Sequence, residues 1–204
     1  MVGKNLGERP RTLRTLHGRA RLQTWLLGAA ALLTCAPHMP PPCERIVAIS
    51  VSKRERRLRV QCEGGSLVEM AVALGRGEGG PKRQMGDART PEGHYRLSGP
   101  ARASRFHRFI PFDYPSVSDA ATAHTEGRLA DGDYRRIEAA HANGEVPPAD
   151  TALGGHLGIH GEGERWRGDS RLLDWTLGCI GLADADVDFI AARSAVGTPV
   201  EIFP

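Results

Sequence analysis

Two runs of alternating apolar residues near the start of the chain constrain its fold most strongly. Residues 45–51 alternate in this way, and residues 58–62 repeat the pattern after a charged turn at 53–55. Alternation with a period of two is typical of a strand with one buried face. Two such runs separated by a short polar turn therefore predict a β-hairpin.

Turn-forming residues indicate that the rest of the chain is also rich in strands and loops. The 204 residues include 25 Gly and 14 Pro, while aromatic residues make up 5%. A chain of this length favours one domain of ordinary size. We predict strands at 67–74, 94–97, 106–112, 154–161 and 200–203, a flexible hairpin loop at 75–80, one or two short helices within 120–143, and a helix at 184–194 with Asp184 as its N-cap.

The first 36 residues are similar to an export signal. A basic stretch ends at Arg21, and an apolar run extends from Trp25 to Ala36. A bilayer span needs about 20 apolar residues, so a cleaved signal is favoured over a retained anchor. Residues 32–35 resemble a bacterial lipobox, which leaves two alternatives: Cys35 carries a lipid anchor, or it is removed with the signal. The predicted organisation is a signal at 1–36, a Pro-rich linker at 37–44 and a folded domain at 45–204, exported to the periplasm or cell envelope.

The net charge of the chain, +3, is concentrated in that leader. Residues 1–34 hold six basic side chains and one acidic side chain, a net charge of +5, so the remaining residues carry −2. Binding to nucleic acid requires a basic folded surface. The nearly neutral domain therefore argues against a nucleic-acid partner.

The cysteines other than Cys35 are Cys43, Cys62 and Cys179. In an oxidising compartment Cys43 and Cys62 can pair with each other. Alternatively, Cys62 packs in the core, because Leu58, Val60 and Cys62 fall on one face of a predicted strand. The sequence leaves both possibilities open.

One short region concentrates reactive side chains. His160 precedes Gly161, and Cys179 lies between Gly178 and Gly181. Glycines add little to core packing, whereas close approach of the backbone to a ligand explains them. Thioester chemistry needs a thiolate, a group that takes and returns a proton, and backbone N–H groups aimed at the developing oxyanion. Cys179, His160 and the amides around Gly178 supply these groups; the alternative is a structural cysteine and a strand histidine.

Three sequence motifs, taken in the order in which they occur along the chain, resemble those of a known family. The segment at 86–95 matches Gly-Asp-x-x-Thr-Pro-Glu-Gly-x-Tyr, and residues 104–107 and 113–115 form a middle region. His160-Gly161 follows, with fifteen residues between His160 and the Thr-x-Gly-Cys-Ile at 176–180. Together they resemble the L,D-transpeptidase catalytic domain (YkuD-type) family, and the resemblance extends from residue 45 to the end of the chain.

The resemblance implies a mainly β, β-sandwich-like fold with short helices inserted and one helix after the cysteine. It implies that Cys179 attacks the carbonyl of the L-centre of a diamino acid in a peptidoglycan stem peptide. D-alanine then leaves, and an amine on a second stem peptide or a wall-linked protein resolves the thioester. No cofactor is implied.

The same resemblance implies roles for individual residues. His160 is the base and later the acid, the Gly161 carbonyl orients its ring, and the amides of Gly178 and Cys179 form the oxyanion hole. An imidazolium close to Cys179 is expected to lower the pKa of the thiol below its free value.

Two positions depart from the common pattern of the family. Many members have His where Leu177 stands and Arg or Asn where Gly181 stands, groups that neighbour the reacting centre or hold the substrate carboxylate. His156, expected on the same strand face as His160, is a candidate replacement for the missing imidazole, with a solvated strand histidine as the alternative. The candidate substrate-binding residues are Thr176, His156, Tyr114 and His107; strand-edge polar positions are the alternative for the last two.

Metal chemistry is a weaker interpretation of the same residues. His160-Gly-Glu162 is similar to the start of a zinc deaminase site, but the Pro-Cys-x-x-Cys half is absent from the sequence. His156 and His160 also fail as a metal clamp, because four residues along a strand separate them by roughly 13 Å. No metal is therefore predicted.

Two alternatives to acyl transfer remain open at this stage. In the first, water rather than an amine resolves the thioester, which makes the protein a peptidase with the same Cys-His pair. In the second, the loss of polar groups at Leu177 and Gly181 marks a non-catalytic module that binds the cell wall.

Overall fold

The computed structural model describes residues 43–204; the predicted signal at 1–36 and most of the predicted linker at 37–44 lie outside them. The strands are β1 (Ile46–Ser52), β2 (Arg57–Cys62), β3 (Leu67–Ala71), β4 (Gly93–Arg96), β5 (Arg102–Ser104), β6 (His107–Pro111), β7 (Gly158–His160), β8 (Ile180–Gly181) and β9 (Pro199–Phe203). The helices are α1 (Val117–Thr125), α2 (Asp131–Ala142) and α3 (Asp184–Arg193), with a short 3-10 helix at Asp169–Arg171.

The first sheet is built on the hairpin that opens the domain. Strands β1 and β2 pair antiparallel with Val51 opposite Leu58, which confirms the predicted hairpin. The full order is β3-β2-β1-β9-β4, and β9 lies parallel to β1. The last strand of the chain therefore lies inside this sheet, between β1 and β4.

The second sheet has the order β5-β6-β7-β8 and carries the reactive residues. Its β7–β8 pair is parallel, and its other pairs are antiparallel. Side chains from both sheets and from all three helices join one buried core, which includes Val51 and Leu58 of the first sheet and Ile159 and Ile180 of the second. The architecture is thus the mainly β, sandwich-like one that was predicted, with both sheets mixed.

Local sequence signals predicted the positions of the helices better than their N-caps. Helix α1 begins with a capping box in which Ser116 and Asp119 bond each other's backbone N–H groups. Helices α1 and α2 confirm the predicted helical insertion. The predicted N-cap of α3 is wrong: Ala183 holds that position without a side-chain bond, and Asp184 is the first helical residue. Among residues 43–204, no helix combines the length and the apolarity that a membrane crossing requires.

Two predicted segments differ from the structure, and the structure adds a short strand. The loop at 75–80 is not a hairpin loop, because β3 and β4 lie at opposite edges of the first sheet. The strand predicted at 154–161 is only Gly158–His160, because Gly154 and His156 have φ of 73° and 57° and leave the extended conformation. The short strand β5 had no clear alternating pattern and was not predicted.

The structure joins Cys43 to Cys62 in a disulfide. Their Cα atoms are 5.2 Å apart, and 19 positions separate them in sequence. Cys62 is also 1% exposed within the core, so it serves both roles that the sequence left open. The bond ties the start of the described chain to the end of β2.

Candidate active site

The register of two short strands, β7 and β8, brings Cys179 and His160 together. Ile159 pairs with Ile180 and His160 with Gly181. Cys179 directly precedes β8, so it lies level with Gly158, two residues before His160. Because side chains alternate between the faces of a sheet, Cys179 and His160 project from the same face.

Both residues line a groove of ≈ 650 Å³. This volume is within the range of pockets that bind small ligands. The other residues of this Cys179 groove are Arg76, Arg105, Phe106, Phe109, His156, Glu162, Arg165, Trp166, Trp175, Thr176 and Leu177. A small peptide can therefore reach the sulfur and the imidazole at the same time.

The imidazole of His160 is buried and fixed in one orientation. The side chain is 3% exposed, and Nδ1 lies 2.7 Å from the carbonyl oxygen of Gly161. Because a carbonyl only accepts, Nδ1 carries the proton and Nε2 is the nitrogen free to act as a base. Burial lowers the pKa of His160, the bond to Gly161 opposes that effect, and the charge of Arg105 adds to it. The ring is therefore neutral at pH 7.

Two aromatic rings that also contact each other pack against the imidazole. Phe106 stacks on His160 with ring centroids 4.6 Å apart, and Trp175 contacts it at 5.3 Å. Trp166 in turn stacks on Trp175 at 5.0 Å. This array restricts rotation of the His160 ring and excludes water from much of it.

The thiol of Cys179 is not paired with an imidazolium. Among the described residues its hydrogen-bond acceptor is the carbonyl oxygen of His156, at an Sγ···O distance of 4.0 Å. Burial raises the pKa of the Cys179 thiol to about 11. The expected lowering of this pKa was therefore wrong, because both partners are desolvated and His160 carries no charge.

The backbone turn before Cys179 is closed by Thr176. The Thr176 hydroxyl donates to the Cys179 carbonyl at 2.7 Å and accepts from the Gly178 N–H at 3.2 Å. Gly178 has φ of 126°, and a Cβ there would lie 2.7 Å from the Arg89 carbonyl oxygen. Only glycine fits this position without strain.

The same turn changes the expected oxyanion hole. The Gly178 N–H is already bonded to Thr176, whereas the Cys179 N–H has no acceptor within residues 43–204. The amide of Cys179 is thus the available donor at this end of the groove.

Of the two positions that depart from the family pattern, Leu177 lines the groove, and Gly181 lies against Trp175, which lines it. Leu177 is 62% exposed at its rim. A Cβ at Gly181 would lie 3.0 Å from the Trp175 ring and 3.4 Å from Ala73 and Thr176 side-chain atoms. The indole of Trp175 therefore occupies the space that a side chain at 181 would need.

The candidate substrate-binding residues divide into two groups. Thr176 and His156 line the groove, although His156 reaches it from a loop and not from the strand that was expected. Tyr114 is buried in the core at 2% exposure, so it cannot contact a substrate. His107 binds Asp188 of α3 at 2.9 Å and does not line the groove.

Two carboxylates shape the loop that follows His160. Asp184 accepts bonds from the N–H groups of Glu162 and Gly163 at 2.9 and 3.0 Å. Glu162 accepts from the N–H groups of Gly168 and Ser170 at 2.6 and 2.8 Å. These bonds fix the backbone beside the Gly161 carbonyl that orients the imidazole.

The sequence interpretation missed the aromatic wall and the arginines of the groove. Two of the three tryptophans in the chain, Trp166 and Trp175, fall between His160 and Thr176. In a chain with 5% aromatic residues, this concentration was a usable signal. Within residues 43–204, no cluster of three His, Cys, Asp or Glu side chains could hold a metal ion.

The fold and the site define a two-sheet β protein with a cysteine and a histidine in one groove. The family model for the L,D-transpeptidase catalytic domain (YkuD) matches residues 46–202. The chain belongs to this family. No curated protein matches the sequence significantly.

Solved structures of distant relatives are similar in part. An L,D-transpeptidase from Mycobacterium smegmatis is 12% identical, with a TM-score of 0.46, over 78% of this chain and 59% of that one. A mutant L,D-transpeptidase from Enterococcus faecium is 14% identical, with a TM-score of 0.45, over 78% of this chain and 50% of the other. An L,D-transpeptidase from Stackebrandtia nassauensis is 11% identical, with a TM-score of 0.43, over 84% and 62%. This chain therefore spans only 50–62% of these relatives' lengths.

Proposed function

We propose that this protein is a cysteine acyltransferase that acts on peptidoglycan stem peptides by L,D-transpeptidation. The observation that carries the proposal is the placement of Cys179 and His160 on one face of adjoining strands in one groove. The family membership supplies the reaction class and the peptidoglycan substrate.

In the first half-reaction, Cys179 attacks the carbonyl at the L-centre of the donor's diamino acid. Nε2 of His160 takes the thiol proton as the S–C bond forms, and the Cys179 N–H donates to the oxyanion. The C–N bond then breaks, and the His160 imidazolium returns the proton to the departing amino group of D-alanine. The acyl group remains on the sulfur as a thioester.

In the second half-reaction, an amine of an acceptor attacks the thioester carbonyl. His160 accepts a proton from that amine, the C–S bond breaks, and the sulfur leaves and regains its proton from the imidazolium. The acceptor is an amine on a second stem peptide or on a wall-linked protein. Water in the same position would give hydrolysis through identical first steps.

The uncharged Cys179 thiol and His160 imidazole suit a mechanism in which the proton moves only as the thiol attacks the bound substrate. A thiol with a pKa of about 11 and a neutral imidazole are both uncharged at pH 7. Attack and proton transfer then occur together, because a free thiolate is rare at pH 7. The barrier is lowered where the oxyanion donor and the base are already in place.

We also propose that the protein acts in the cell envelope. The basic and apolar pattern of residues 1–36 supports export, with lipid attachment at Cys35 as one possible form of the mature N-terminus. The Cys43–Cys62 disulfide supports the same location, since disulfides persist in oxidising compartments.

Product analysis with a tetrapeptide-bearing muropeptide tests the reaction. With an added amine acceptor, the wild type is expected to release D-alanine and form the amine adduct, and the Cys179→Ser variant is expected to form neither. D-alanine release with water as the only acceptor would identify a hydrolase. A folded wild type that releases no D-alanine under either condition would leave the wall-binding module as the better interpretation.

A further inference from the structure

Three exposed arginines line the Cys179 groove without a carboxylate partner in the part of the chain that the structure describes. Arg76 follows β3, Arg105 lies in the turn between β5 and β6, and Arg165 lies in the loop after β7. By contrast, Arg59 and Arg136 each pair with two carboxylates. Three separate segments thus bring unneutralised positive charge to one groove.

The groove exposes no acidic side chain to a ligand. Glu162 is the one carboxylate among its lining residues, and it is 3% exposed. Both of its oxygens accept backbone N–H groups, from Gly168 and Ser170. A ligand in the groove therefore meets the guanidinium groups and not the carboxylate.

Two of the arginines are held in place by aromatic rings. The Arg105 guanidinium carbon lies 4.7 Å from the Phe106 ring centroid, and that of Arg165 lies 5.2 Å from the Trp166 ring centroid. A guanidinium stacked on a ring keeps its N–H edge free for a planar anion. The arginines are thus positioned for binding before a ligand arrives.

Strand β8, which follows Cys179, has no side chain at position 181 that could supply positive charge to the groove. Residue 181 is glycine, and the Trp175 ring lies 3.0 Å from where its Cβ would be. Positive charge for a ligand must therefore come from the rim of the groove, where Arg76, Arg105 and Arg165 lie.

Building on the proposed function, we infer that Arg76, Arg105 and Arg165 bind free carboxylates of the acyl donor. A guanidinium group forms a bidentate pair with a carboxylate. Three guanidinium groups from three segments are more than one carboxylate needs. The groove therefore selects a peptide donor with a free C-terminal carboxylate and at least one further free carboxylate. A donor whose carboxylates are amidated is disfavoured.

Acylation of Cys179 by two matched tetrapeptide donors, one with free carboxylates and one amidated, tests the inference. We expect the wild type to have a kcat/KM at least about tenfold higher for the free donor, since a charge-assisted hydrogen bond contributes that much or more. Arg76→Gln and Arg165→Gln are each expected to reduce kcat/KM for the free donor about tenfold and to leave kcat/KM for the amidated donor unchanged. Arg105→Gln is expected to reduce the ratio of kcat/KM for the free donor to kcat/KM for the amidated donor about tenfold. Equal losses on both donors, or no preference in the wild type, would overturn the inference.

Arg102→Gln is the matched control. Arg102 also lies over an aromatic ring, 5.0 Å from the Phe109 centroid, but it does not line the groove. The Arg102→Gln variant is expected to keep the wild-type kcat/KM for both donors. This result separates an effect of the groove arginines from the loss of any arginine stacked on a ring.

A small uncharged aryl thioester separates this inference from the proposed function. Intact-mass analysis is expected to show its acyl group on Cys179 in the wild type and in the three arginine variants, and none in Cys179→Ser. If neither this probe nor either peptide acylates the wild type, the proposed function fails. If both peptides acylate it equally well, only the role of the arginines fails.

Discussion

At the scale of single residues, Cys179 and His160 are both uncharged at pH 7. Burial raises the pKa of the thiol and lowers the pKa of the imidazole, so neither stabilises a charge on the other. The sequence identified both residues from their motif spacing. It could not show their protonation states, because these depend on how far the folded protein buries each group.

The reactivity of Cys179 toward iodoacetamide is therefore expected to rise with pH up to at least pH 10. The reason is the thiol pKa of about 11, which keeps the thiolate fraction growing across this range. Mass spectrometry of alkylated peptides measures the rate at Cys179 itself, and Cys179→Ser provides the blank. A rate that levels off by pH 7 would instead indicate a thiolate–imidazolium pair.

Gly178→Ala is expected to lower the free energy of unfolding by about 2–3 kcal/mol, because the left-handed φ and the contact with the Arg89 carbonyl oppose any Cβ. Urea unfolding followed by tryptophan fluorescence measures the change. Gly79→Ala is the control: nothing lies within 4 Å of a Cβ there, so a change below about 0.5 kcal/mol is expected. Equal effects of the two variants would contradict the structure of the turn.

At the scale of elements, strand register explains more of the site than any single residue does. The alternating pattern predicted β1 and β2 well, because one face of each is buried. The same pattern predicted a β7 that was too long. Gly154 and His156 have positive φ, and apolar periodicity does not report this backbone property. The parallel pairing of β7 with β8, which places Cys179 beside His160, joins segments that no local pattern connects.

Helix α3 is expected to support the base through Asp184. Asp184→Ala removes both bonds to the Glu162 and Gly163 N–H groups and is expected to lower the free energy of unfolding by about 2 kcal/mol. It should also slow acylation of Cys179, since the Gly161 carbonyl loses its support. Chemical unfolding and acylation rates measure the two effects.

Asp186→Ala provides the comparison for this element. Asp186 lies in the same first turn of α3 and has no side-chain hydrogen bond to the residues that the structure describes. Both variants remove one negative charge near the helix N-terminus, so the loss of that charge is matched. An Asp186→Ala variant that slows acylation as much as Asp184→Ala would exclude a specific role for the loop bonds.

At the scale of the whole molecule, the sequence predicted the fold class but not which polar residues face the groove. Tyr114 and His107 are polar residues of the middle motif, yet one is buried and the other binds α3. Side-chain direction at these positions is set by packing across the two sheets. The arginines of the groove were missed for the same reason, since they lie in three loops far apart in sequence.

The disulfide is expected to stabilise the whole domain. Replacing both Cys43 and Cys62 by Ala opens a loop of 19 positions and should lower the free energy of unfolding by about 3 kcal/mol. Urea unfolding of wild type and variant, each with and without reductant, measures this. The reductant should lower the free energy of unfolding of the wild type only. A double variant that is also destabilised by the reductant would mean that another disulfide bond is involved.

The most direct measurement is the intact mass of the protein after brief incubation with a free-carboxylate tetrapeptide donor and no acceptor. We expect a mass gain equal to the donor minus D-alanine, located on the peptide that contains Cys179 and absent from Cys179→Ser. A folded wild-type protein that gains no mass, or that gains it equally in the serine variant, would contradict a thioester mechanism at Cys179.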